Sequence, residues 1–137
     1  MSGAERDREN VAAMQAEIER VDRLPLNQLA AEVMIKGFGP GGPGQSGTVE
    51  DPVGAHRVNL EDIAGLFTPA FAARGVGPEL NKRLTNLIAE GLQILENAAL
   101  VRVSNRGGFE HYFATRRGRE AVARGELDRI LDTGLRY

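Results

Sequence analysis

The side chains best equipped for chemistry in this 137-residue chain are its arginines, and they are unevenly spread. Between Leu100 and Arg119, the bases Arg102, Arg106, Arg116, Arg117 and Arg119 face a single acid, Glu110, although the whole chain has a formal net charge of −2. Guanidinium groups bind phosphate oxygens bidentately and displace condensed counterions, so a local positive stretch of this kind suits a polyanion. Asn105 stands beside Arg106 in the same stretch. Just upstream, Lys82, Arg83, Asn86 and Gln93 have the types that read base edges, amides pairing with adenine and cations with guanine or phosphate. Glu90 falls on the same helical face and opposes phosphate. Lysine occurs only as Lys36 and Lys82, so arginine abundance is partly a habit of the sequence, and a solvated basic face is the competing reading of the same residues.

Other chemistry is thinly represented. With no cysteine, thiolate nucleophiles, disulfides and sulfur-ligated metal sites are excluded. His56 and His111 have no companions at metal-ligand or acid-base spacing, and both read as structural. Gly37, Gly39 and Gly42 have the spacing of a dinucleotide-binding turn, but they follow a helical pattern and Pro40 interrupts them, whereas that turn needs a preceding strand. Arg106-Gly107-Gly108 is a single unit of an RGG tract, better explained by the glycines of a tight turn. The expectation is therefore a protein without enzymatic activity, cofactor or metal. The charged start, from Glu5 to Glu9, and the lack of any apolar run of about 20 residues favour a cytoplasmic protein with no membrane partner.

These side chains need elements to hold them. The segment 1–23 is charged and carries Val11, Met14, Ile18 and Val21 in one narrow stripe, which suits either a dimerisation arm or packing against its own domain. Residues 24–137 read as one domain. Its first helix starts near Leu24 to Asn27 and ends at Gly37, and the Gly/Pro-rich stretch 37–54 is expected to be a flexible loop, with Phe38 as its one large apolar residue. An extended piece at 56–58 precedes a helix capped by Asn59 and Asp62. Thr68-Pro69 stops or kinks that helix, and 69–74 is expected to add a second helical piece. Pro78 opens the longest helix, whose apolar face is Leu80, Leu84, Leu87, Ile88, Gly91 and Leu95. Gly91 costs about 1 kcal/mol there unless it admits a close neighbour. A hairpin spans 100–104 and 109–114, and Thr115 caps a last helix with Leu127, Ile130 and Leu131 on its apolar side and Gly125 as an interruption.

The order helix, short strand, helix, helix, hairpin, helix resembles the winged helix-turn-helix regulators of bacteria, including those of the MarR and PadR types. The segment from Leu95 to Ala121, LENAALVRVSNRGGFEHYFATRRGREA, carries the resemblance. It is similar to the family's junction in which the recognition helix ends in Leu95-Glu96, Leu100-Val101 starts the wing, and Thr115-x-x-Gly118 opens the next helix. Ala99 stands where the family often has glycine, and the span from Ile63 to Leu95 is longer than usual. Counting back from Leu95 puts base-reading positions around Thr85, Asn86, Ala89 and Glu90, while the first turn offers Asn81, Lys82 and Arg83.

The resemblance implies a mainly α (α+β) fold, a winged helix-turn-helix with a two-stranded wing and flanking N- and C-terminal helices. It further implies a transcriptional regulator binding double-stranded DNA through Lys82, Arg83, Asn86, Arg102, Asn105, Arg106, Arg116, Arg117 and Arg119. The apolar stripes of the two terminal helices add the expectation of a homodimer that pairs through Val11, Met14, Ile18, Val21, Leu127, Ile130 and Leu131. The acidic balance and Glu90 support an alternative, a winged-helix module that binds a protein partner and no DNA.

Overall fold

A computed structural model of the chain describes residues 3–44, 58–104 and 110–134. The stretch free of internal glycine and proline forms helix α1 (Gly3–Asp22), and after Pro25 the chain enters α2 (Leu26–Phe38). Helix α3 (Leu60–Phe67) opens on a reciprocal cap: the Asp62 N–H donates to Asn59 Oδ1 at 2.8 Å and the Asn59 N–H to Asp62 Oδ2 at 3.2 Å. Pro78, which needs no N–H donor at a first helical position, begins α4 (Pro78–Asn97).

Helix α4 ends in a turn that aims the chain into the hairpin. The Ala99 N–H donates to Glu96 O at 3.0 Å and the Leu100 N–H to Leu95 O at 2.8 Å, while Leu95 and Leu100 are both fully buried. This turn holds Ala99 at φ 60°, the left-handed conformation that glycine adopts without strain. Strands β1 (Val101–Ser104) and β2 (His111–Ala114) then pair antiparallel, with Val101 opposite Ala114, Arg102 opposite Phe113, Val103 opposite Tyr112 and Ser104 opposite His111. Val58 adds one residue of a third strand. Its N–H donates to Tyr112 O at 3.0 Å and its O accepts from the Tyr112 N–H at 2.8 Å.

The Thr115 hydroxyl oxygen accepts from the Gly118 N–H at 3.0 Å and so caps α5 (Arg116–Arg124), which is followed by α6 (Leu127–Gly134). Helix α4 lies centrally, against α1, α2, α3 and β1. Gly91 lets α2 approach it closely: a methyl group there would sit 3.0 Å from Val33 Cγ2 and 3.3 Å from Leu29 Cγ. Gly118 does the same where α5 crosses the start of β1, under the Leu100 carbonyl and 2.9 Å from Met34 Cε.

Several expectations change. Met14, Ile18 and Val21 are buried in the same core as Leu29, Val33 and Met34, and Val11 is half-buried, so the stripe of α1 packs against its own domain, the second of the two uses its sequence allows. Leu127 and Leu131 are likewise buried and Ile130 is half-buried, because α6 packs on α2. Helix α2 runs past Gly37 and includes Phe38, a buried side chain whose burial extends the helix into the stretch expected to be loose. The N–H groups of Gly39, Gly42 and Gly44 donate in turn to Ile35, Gly39 and Gly37, which orders residues 39–44 as tight turns. The rest of the expected 37–54 loop, like His56, lies outside the described residues. Residues 69–74 form successive turns and no helix. At Gly125 the expected last helix divides into two.

Among the described residues, six helices and one two-stranded antiparallel sheet succeed one another in the order that places a β-hairpin after a central helix pair. This is a winged-helix-type architecture, with α3 and α4 as the helical pair and β1–β2 as the wing.

Candidate nucleic-acid interface

One side of α4 is closed off by Leu84, Ile88, Gly91, Leu92 and Leu95. The opposite side exposes Glu79, Lys82, Arg83, Asn86, Glu90 and Gln93, the set that the helical period assigns to solvent. From Lys82 to Gln93 this face runs about 16 Å along the axis, at a rise of about 1.5 Å per residue. Lys82, Arg83 and Asn86 have no side-chain partner among the described residues. Gln93 is occupied, its Nε2 donating to Asn97 Oδ1 at 3.0 Å. The outward cations therefore sit in the N-terminal half of α4, between Glu79 and Glu90.

The connection before α4 explains which positions face outward. Asn81 turns back: its Oδ1 accepts from the Ala72 N–H at 3.0 Å, which steadies the loop 68–77. Thr85 donates to its own helix, to Lys82 O at 3.0 Å, and both Thr85 and Ala89 are half-buried. Of the two sets of positions derived from the sequence, each is thus split, and the outward-facing members are Lys82, Arg83, Asn86 and Glu90. The loop is also tied to α1. Arg74 Nε lies 3.5 Å from Asp7 Oδ1, and Asn10 Nδ2 donates to Arg74 O at 3.0 Å.

On the wing, strand alternation turns Val101, Val103, Tyr112 and Ala114 to one side and Arg102, Ser104, His111 and Phe113 to the other. Arg102 is exposed and lies over the Phe113 ring, 5.5 Å from its centroid, a contact that steadies the guanidinium without neutralising it. Tyr112 donates to Glu110 Oε2 at 3.2 Å. Burial, with the nearby charges of Glu110 and Glu96, pushes the Tyr112 phenol up to about 12, so the group stays neutral and a donor at ordinary pH. Asn105 and Arg106, the expected wing-tip contacts, lie outside the described residues.

The arginines after the wing have diverse surroundings. Arg116 is exposed and pairs with Glu120 at 3.5 Å. Arg119 is half-buried and donates through Nη1 to Ala114 O at 3.2 Å, with Nε shut away from solvent. Its expected place among free cations is corrected accordingly, because the side chain fastens α5 to β2. Arg117 lines a cleft formed with the end of α4 and with α6. Of the basic residues singled out in the sequence, the described surface thus keeps Lys82, Arg83 and Arg102 as exposed cations without an acid partner and outside that cleft.

Among the described residues no group of three or more His, Asp or Glu side chains is arranged to hold a metal ion. None of the described helices is long and apolar enough to cross a membrane. No protein-family model matches the chain, and neither a curated protein nor a solved structure matches it.

Proposed function

We propose that this chain binds duplex DNA as a winged-helix regulator, by binding and not by catalysis. The observation that carries the reading is the outer face of α4, where Lys82, Arg83 and Asn86 are held outward without partners on a helix otherwise fixed by its neighbours. A major groove about 12 Å wide admits one helix, and an amide beside two cations can read adenine and guanine edges while holding phosphate. Arg102, stacked on Phe113, supplies a second positive point on the wing for the adjoining backbone. The resemblance of Leu95–Ala121 to MarR-type and PadR-type regulators supports the same use of the fold. The reading does not require a dimer, since five of the seven apolar residues expected to build one, Met14, Ile18, Val21, Leu127 and Leu131, are buried in the core of the chain.

Glu79 and Glu90 on the same face favour a second reading, a module that docks on a protein carrying complementary charge. Reversing three charges separates the two. The variant Lys82→Glu, Arg83→Glu, Arg102→Glu should keep its circular dichroism spectrum and lose duplex DNA binding measured by fluorescence anisotropy. Binding equal to that of the unaltered chain would refute the DNA reading.

A further inference from the structure

A cleft of about 620 Å³ opens between the end of α4, α5 and α6. Its shape arises from the left-handed turn at Ala99, which swings the chain away from the helix axis, and from small side chains at Ala98, Ala99 and Ala121, with Ile130 as the larger apolar wall. Arg117 and Arg124 enter it from α5, and Arg129 from α6. Glu120 and Glu126 also line it, but each is already engaged, Glu120 with Arg116 at 3.5 Å and Glu126 with Arg129 at 3.3 Å. Arg117 and Arg124 have no acid partner among the described residues.

These two are seven residues apart, two helical turns on one face, so their backbones are separated by about 10 Å along the axis. Ala121 lies between them on that face. Asn97, at the rim, accepts from Gln93 through Oδ1, which leaves its Nδ2 as a further donor. The cleft therefore offers two unpaired forked cations at separate ends, an apolar strip between them, and carboxylates already paired with other bases. A single small anion would satisfy one end only. A volume of this size lies within the range of small-molecule sites, about 300–1,000 Å³.

We propose that this cleft binds a small organic dianion, a dicarboxylate whose two ends pair with Arg117 and Arg124 and whose apolar middle lies on Ala121 and Ile130. Guanidinium forks match carboxylates bidentately, and two such pairs act together because one molecule closes both. The site is independent of the DNA reading, since Asn97 at its rim is about 22 Å along α4 from Lys82.

The test uses the full chain at low salt, with succinate, adipate and suberate as probes and acetate as the single-charge control. Nitrogen-edited NMR shifts around residues 117–130 report occupancy. At least one dicarboxylate should saturate with a dissociation constant below about 1 mM and bind at least about tenfold more tightly than acetate. The double variant Arg117→Gln, Arg124→Gln should bind it at least about tenfold more weakly, with Arg124→Gln alone in between and Arg8→Gln unchanged. Both cleft arginines are exposed, so the spectrum of the folded variants serves as the integrity check. Failure of every dicarboxylate to saturate in that range, equal affinity for acetate, or binding indifferent to the double substitution overturns the proposal.

Discussion

Replacing Gly118 by alanine adds one methyl group where α5 crosses the start of β1. It would fall far inside contact distance of the Leu100 carbonyl oxygen, 3.0 Å from Leu100 C and 2.9 Å from Met34 Cε. Met34 can move its terminal methyl, but Leu100 cannot readily yield. Its O accepts from the Thr115 N–H at 3.0 Å and its N–H is held by Leu95 O at 2.8 Å. The strain of such overpacking is about 1–3 kcal/mol. If α5 lifts instead, it loosens the Thr115 cap, a loss of about 1 kcal/mol. Alanine's better helix propensity returns at most about 1 kcal/mol, so Gly118→Ala should destabilise by about 1–2 kcal/mol. Gly65, inside α3, is the control: a methyl group there meets nothing within 4 Å, and Gly65→Ala should stabilise by about 1 kcal/mol. Urea denaturation followed by circular dichroism measures both, with an unchanged slope as the sign that only stability has moved. A Gly118→Ala protein at least as stable as the unaltered chain would refute the close approach of α5 to β1.

Ala99→Gly should stabilise by about 1 kcal/mol, because the left-handed position at φ 60° penalises a side chain; a lower thermal midpoint would contradict the turn described. The Tyr112 phenol is raised from 10.0 to about 12, so the folded state holds this proton more tightly. Its contribution is complete below the unfolded value and is lost as pH rises through the folded one; Tyr112→Phe should flatten the fall in stability between those pH values in alkaline melts. Burial disfavours ionisation of Glu32, but the hydrogen bond and charge of Arg20, with Lys36, outweigh it and hold the carboxyl below its ordinary range. That contribution is present above the unfolded value and lost as pH falls through the folded one, and the partly exposed network is worth about 1 kcal/mol or less. Arg20→Ala should therefore lower stability slightly at neutral pH and low salt, flatten its fall on acidification, and matter hardly at all at about 1 M salt, where charges are screened within about 3 Å.

The elements whose signals are local are legible in the sequence. Asn59 and Asp62 mark the start of α3, Pro78 that of α4 and Thr115 that of α5, because a cap depends on residues within one turn. The outward face of α4 comes from period alone. Features that depend on distant neighbours are not legible in this way. A stripe such as Met14, Ile18 and Val21 looks the same whether α4 of its own chain or another molecule covers it, and Phe38 is buried only because other elements close over it. Arg119 reads as one of a basic run, yet its donor reaches back to Ala114. Arg124 stands outside that run and escapes a search by local charge, although its spacing from Arg117 puts both on one face of a helix.

Binding of the unaltered chain to random-sequence duplex DNA across a salt series tests the central claim most directly, since it needs no knowledge of a target. Cations at Lys82, Arg83, Arg102 and Arg106 predict micromolar binding near 50 mM salt and a log-log slope of about −3 to −4, at about −0.9 per phosphate neutralised. No measurable binding at that salt, or binding indifferent to salt, would contradict a nucleic-acid interface on α4 and the wing.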